Sequence, residues 1–99
     1  MSIVVSIIEE DGELVKEVGL LEDVEISKIA KSAKLLDLKC LPFLDPYSYT
    51  YYNELQANQI LKEIPKLKQY DIPSHVIDIL EKGALEVSKG FLLLKFEGE

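Results

Sequence analysis

The sequence predicts an α+β domain, and three observations carry that expectation. Residues 2 to 9 and 13 to 20 are two strand-forming runs flanking Asp11-Gly12, a dipeptide suited to hairpin turns. Three later stretches repeat apolar residues at helical spacing. The chain then closes on Phe91-Leu92-Leu93-Leu94-Lys95-Phe96, too continuous an apolar run to lie unpaired in water. The expected architecture is a three-stranded antiparallel sheet of order 2-1-3, made of the N-terminal hairpin plus the C-terminal strand and packed against about three helices. With 99 residues, 47% of them hydrophobic, the chain bounds a single domain over 1–99 whose core needs no disulfide or metal staple.

The opening hairpin is expected to turn through a type I′ geometry at Asp11-Gly12, with Glu10 opposite Glu13. That register sets Ile7 against Lys16, Val5 against Val18 and Ile3 against Leu20 on one mainly apolar face, and Ser6 with Glu17 on the other. The first helix is expected from about 24 to 37, with Asp23 as N-cap and Ile26, Ile29, Ala30, Ala33 and Leu36 along its apolar stripe. Leu38-Lys39-Cys40-Leu41 is a candidate for a short extra strand, limited by Pro42. A second helix is expected over 51–69 on Leu55, Ile60, Leu61, Ile64 and Leu67, with a kink or break near Ile64 imposed by Pro65. Pro73 suits the first turn of a third helix lined by Val76, Ile77, Leu80, Ala84 and Leu85, and Gly90 closes it before the last strand.

Charge narrows the partners. Eighteen acidic against eleven basic residues leave a net charge of -7, which disfavours nucleic acid and anionic lipid and favours a basic protein partner. A single cysteine, Cys40, points to a reducing, cytoplasmic setting. The run Ile3-Val4-Val5-Ser6-Ile7-Ile8 lacks the basic leader and cleavage site of a signal peptide, and no stretch is long enough to cross a membrane.

Catalytic and metal chemistry find little to build on. Cys40 and His75 are the sole residues of their types, the minimum for a thiol enzyme, yet the first has apolar neighbours and the second stands at a helix entrance. The acids Glu9, Glu10, Asp11 and Glu13 surround a tight turn whose alternation should scatter their oxygens, and Glu22, Asp23 and Glu25 complement a helix N-terminus. Glu81 and Glu86 are off helical neighbour spacing, and the isolated glycines form no phosphate cradle. The expectation is therefore no catalytic residue, no metal site and no cofactor.

The segment Asp45-Pro46-Tyr47-Ser48-Tyr49-Thr50-Tyr51-Tyr52 holds four of the five tyrosines. Tyrosine offers large contact area and a hydroxyl at little entropic cost, so Asp45, Tyr47, Tyr49, Tyr51 and Tyr52 form the candidate partner-binding set. If extended, the segment places Tyr47, Tyr49 and Tyr51 on one face. Phe91, Leu93 and Lys95 form a second candidate set, a strand edge for a partner or a homodimer.

Phe43-Leu44-Asp45-Pro46-Tyr47-Ser48-Tyr49-Thr50, Asn53-Glu54-Leu55-Gln56 and Lys95-Phe96-Glu97-Gly98-Glu99 carry a resemblance. They are similar to segments of small uncharacterised bacterial proteins, a Phe-Ile-Asp-Pro-Tyr-Gly-Asp-Thr pattern before a helix and a Lys-Phe-Ile-Gly-Asp end. Ser48 and Tyr49 stand where that pattern has glycine and its second acid. Such proteins resemble immunity proteins, which cover the active surface of a toxin. The resemblance implies protein binding and transfers no catalytic residue. The leading expectation is thus a non-enzymatic binder of a basic protein; the alternatives are a homodimeric structural or regulatory module and a Cys-His thiol enzyme.

Overall fold

The computed structural model describes residues 2–98. Its elements are β1 (Ser2–Glu9), β2 (Leu14–Glu22), α1 (Asp23–Leu35), a 3-10 turn (Leu41–Phe43), β3 (Tyr49–Tyr52), α2 (Glu54–Leu67), α3 (Ser74–Val87) and β4 (Leu92–Glu97). The class is α+β, and the sheet has four antiparallel strands in the order β2-β1-β4-β3. The three expected strands hold their expected order, and β3 adds a fourth beyond β4. Because β3 pairs with the far side of β4 from Leu94 to Glu97, that part of the C-terminal strand is interior to the sheet.

The hairpin departs from expectation in a physically instructive way. The Gly12 N–H donates to the Glu9 carbonyl at 2.9 Å and the Glu9 N–H to the Glu13 carbonyl at 2.8 Å. Gly12 alone in this turn has positive φ, at 96°, so the connection is a three-residue loop in which glycine takes the left-handed position, not a type I′ turn. The pairs Ile7 with Lys16 and Ser6 with Glu17 form as expected. Beyond them the register shifts by one, so that Val5 faces Gly19 and Ile3 faces Leu21. The extra residue bends and twists β2, and it places Leu21 in the core while Leu20 faces solvent.

The expected strand at 38–41 does not form. Asp37 takes a left-handed conformation (φ 57°), and the Leu38 N–H donates to the Ala33 carbonyl, ending α1 with a reversal that buries Leu38. Residues 41–43 then make a 3-10 turn. Helix α1 starts at Asp23 with Glu22 as its N-cap residue, the Glu22 N–H donating to the Glu25 carboxylate at 2.8 Å. Helix α2 starts at Glu54 behind an Asn53–Gln56 capping box and passes through Pro65 to Leu67 without the expected break. Proline this close to a C-terminus removes one late backbone bond, and buried Ile64 and Leu67 hold the final turn. Leu55 and Leu85, expected on buried stripes, are exposed, because the stripes run through Ala57, Ile60, Ile64 and Leu67 and through Val76, Leu80, Ala84 and Val87.

The helices pack on one face of the sheet. Ile3, Val5, Ile7, Leu21, Tyr52, Leu94 and Phe96 point into them, and two glycines allow close approach. A Cβ on Gly19 would meet Ile79 Cδ1 at 2.8 Å, and one on Gly83 would meet Leu94 Cδ1 at 2.7 Å. Gly98 is tied to the loop before β3, its N–H donating to the Ser48 carbonyl at 3.0 Å. A Cβ there would collide with the backbone of Pro46 and Ser48, which cannot rotate away as a side chain would. Gly98→Ala should therefore lower stability by about 1–3 kcal/mol, read as a reduced urea midpoint at unchanged slope. An unchanged midpoint would show that this contact adds nothing.

Candidate functional site

Antiparallel strands alternate their side chains, so the face opposite the helices is composed of the remaining residues of each strand. Register places Val4, Ser6 and Ile8 beside Glu97, Lys95 and Leu93, and these beside Tyr49 and Tyr51. On the other flank stand Leu14, Glu17, Leu20 and Glu22. Leu14 and Leu20 are exposed, and Tyr49 and Tyr51 keep 55% and 46% of their surface in water. Ser6 and Ile8 are buried in mid-sheet between longer neighbours. The result is an open, apolar and aromatic sheet face with carboxylates at Glu17, Glu22 and Glu97.

Lys95 knits part of this face together. Its ammonium lies 3.1 Å from Glu97 Oε1 and 5.1 Å from the centre of the Tyr49 ring. The hydrogen bond to Glu97 raises the lysine above its ordinary 10.5, partial burial opposes the rise, and the Glu97 charge adds to it. With that lysine already committed to Glu97, Glu17 contributes net negative charge to this face.

The candidate tyrosines separate into three environments. Tyr49 and Tyr51 share the open face, as alternation requires. Tyr47 lies before the strand and lines a hollow against α1 with Val24, Lys28, Lys31, Leu35 and Tyr70, so it does not continue their stripe. Tyr52 leaves the partner-binding set, because it is 2% exposed. Its hydroxyl donates to the Cys40 carbonyl at 2.8 Å and its ring meets Phe96 edge-on. Asp45 is exposed and accepts from the Tyr47 N–H at 2.9 Å, which shapes the turn. Leu93 and Lys95 lie on the open face, not on an edge. Phe91 precedes β4, is 87% exposed with φ 65°, and stands beside the hairpin tip at Glu9, Glu10 and Asp11.

The structure also reveals a residue with no place in the sequence reading. Glu63 is 1% exposed and accepts from the N–H groups of Lys39, Cys40 and Leu41 at 2.9 to 3.3 Å, and from Gln59 Nε2 at 3.0 Å. A carboxylate is stable there because all its partners are donors. The signal was an acid inside the stripe Ile60, Glu63, Ile64, Leu67, where apolar periodicity leaves no room for a solvated charge. Its oxygens are occupied by three backbone N–H groups and the Gln59 amide, so it anchors a loop.

Cys40 and His75 do not form a pair. Burial raises the Cys40 thiol above its ordinary 9.0, and the Glu63 charge raises it further, the opposite of nucleophile activation. His75 Nε2 lies 2.9 Å from Glu25 Oε2 on α1. Glu86 is paired with Lys16. The hairpin acids are not scattered as expected: the three-residue loop gathers carboxylate oxygens of Glu9, Asp11 and Glu13 within 4.8 Å, all exposed, with Asp11 accepting from the Glu13 N–H. No helix among the described residues is long and apolar enough to cross a membrane. The chain matches no family model, no curated protein and no solved structure.

Two outcomes check the anchor. Glu63→Gln would turn an amide donor toward backbone N–H groups and should cost about 2–4 kcal/mol in urea unfolding, with Cys40 becoming reactive to thiol reagents. Tyr52 is raised by burial, then by the charges of Cys40 and Glu63. Because the Cys40 and Tyr52 values are higher folded than unfolded, the stability they supply is complete below about pH 9 and is lost as pH climbs toward the folded values. The thermal midpoint should be flat from pH 7 to 9 and fall above it, less steeply in Tyr52→Phe.

Proposed function

We propose that this chain is a non-enzymatic protein-binding module that covers a basic partner with the open face of its sheet. The observation that carries this reading is that Tyr49 and Tyr51 stand exposed side by side on a four-stranded sheet whose other face is fully used by helices. Exposed aromatic and aliphatic side chains on a rigid backbone lose little entropy on binding and supply most of the energy when desolvated. Glu17 and the net charge of -7 select the sign of the partner and speed its approach.

Neutralisation of a toxin, as immunity proteins perform it, is the role this reading assigns. Such a role asks for a pre-formed surface that occludes, and it asks for no chemistry of its own. The resemblance carried by the Asp45-Pro46-Tyr47 and Lys95-Phe96 segments supports it. In the fold these segments adjoin, since Gly98 bonds Ser48 and β3 pairs with β4.

The test is a paired capture from source cells with the wild type and with Tyr49→Ala/Tyr51→Ala. The wild type should retain a stoichiometric basic protein that the double variant loses, while the thermal midpoints of the two stay within a few degrees. Elution of the wild type alone as a stable dimer would replace this reading with self-association. A partner held equally by both proteins would remove the open face from it.

A further inference from the structure

A second surface differs from the open sheet face in both sign and location. Between Ile26 and Leu36 helix α1 carries Lys28, Lys31 and Lys34 and no acid, a local concentration of positive charge in a chain of net charge -7. Beside these lysines stand Val24, Leu35, Phe43 and Tyr47, all exposed. Two hollows of about 450 and 630 Å3 lie along the helix. The first is walled by Tyr47 and Tyr70, the second by Pro42, Phe43 and Pro46, and Ser27 and Lys31 line both, so the two hollows adjoin across these side chains as one grooved surface.

The Lys28 ammonium is already engaged by the Asp71 carbonyl, which fixes one end of the groove. Lys31 and Lys34 have no carboxylate partner among the described residues. Lysine near a helix C-terminus complements the helix dipole, and that accounts for Lys34. It does not account for four large apolar side chains left in water around the lysines. The facing wall is rigid: Pro42 and Pro46 restrict it, Asp45 caps its turn, and Gly98 and Glu63 hold its two ends. A groove with a fixed wall is ready to bind without a large ordering cost.

We propose that this groove docks a short acidic peptide segment of a partner protein, its carboxylates on Lys31 and Lys34 and its apolar side chains on Phe43, Tyr47 and Leu35. Charge complementarity selects the occupant. Asp45 stands beside the Pro42 and Pro46 wall, so a continuous phosphate backbone or an anionic lipid surface meets a carboxylate where it leaves the lysines. This surface is separate from the open sheet face and does not rest on that assignment.

The experiment titrates the folded chain with a short capped synthetic peptide of glutamates interleaved with leucine and phenylalanine, followed by amide NMR. The expected result is shifts confined to α1 and residues 42–47, roughly tenfold weaker binding to Lys31→Glu/Lys34→Glu, and weakened binding to Phe43→Ala, which keeps the charge. Circular dichroism establishes that both variants are folded, and unchanged amide shifts on the sheet show the rest of the structure intact. Absence of binding, or shifts on the sheet instead, overturns the proposal. So does preferential binding to phosphatidylserine vesicles or to a single-stranded oligonucleotide. Concentration-dependent self-association that the lysine variant abolishes would overturn it in favour of a second copy as occupant.

Discussion

The buried carboxylate of Glu63 is the constraint on which the rest of this structure depends. Residues 39–41 leave α1 with their backbone N–H groups turned inward and no strand or helix to receive them. Left unmet, these donors, those of Cys40 and Leu41 buried in the core, would cost more than a marginally stable domain can spare. Glu63 meets all three from α2, and the Tyr52 hydroxyl meets the Cys40 carbonyl from β3. One short stretch of chain is thereby locked to a helix and to a strand together. That lock makes β3 viable, since a four-residue strand holds little on its own.

Once β3 is in place, the rest follows from alternation. Tyr52 must point inward to reach Cys40, so Tyr51 and Tyr49 point outward onto the open face. The same strand covers the edge of β4 from Leu94 to Glu97, which would otherwise template aggregation. The exposed tyrosines and the protected C-terminal strand are therefore one structural decision. All helices pack on the other side because each has a single apolar stripe and the sheet supplies a single apolar face of matching size. What remains outside is exposed by construction, and its aromatic content is the part that construction does not explain.

Much of this was legible in the residues, and the misses have physical causes. Helix positions came from 3.6-residue periodicity, and the hairpin and β4 from apolar runs and glycine placement. The fourth strand goes unread because Pro46 and Asp45 announce a turn and the expected second helix reaches back to residue 51, although Tyr49-Thr50-Tyr51-Tyr52 has the β-propensity of an edge strand. Residues 38–41 read as a strand because apolar alternation there serves a turn held by side-chain oxygen, which no local pattern reveals. Asp11-Gly12 signals a tight turn in either of two loop lengths, and only packing against α3 at Gly19 selects the shifted register. At the open face, the sequence separated Tyr49 from Tyr52 by parity alone. Which parity faces water depends on the Tyr52 hydroxyl finding Cys40.

Charge distribution gives the two surfaces different responses to salt. At physiological ionic strength charges beyond about 8 Å are screened, so the net charge acts mainly on encounter and the nearest groups act on the bound complex. For a basic protein approaching the open face, the long-range field and the local carboxylate of Glu17 have the same sign. Added salt weakens both, and association slows steeply. For an acidic segment at α1 they oppose each other: the whole molecule repels what Lys31 and Lys34 attract. Screening then relieves the repulsion as it weakens the local attraction, and the association rate changes little. On the two proposed readings, the sheet face would capture an oppositely charged body quickly, whereas the α1 surface would discriminate at short range.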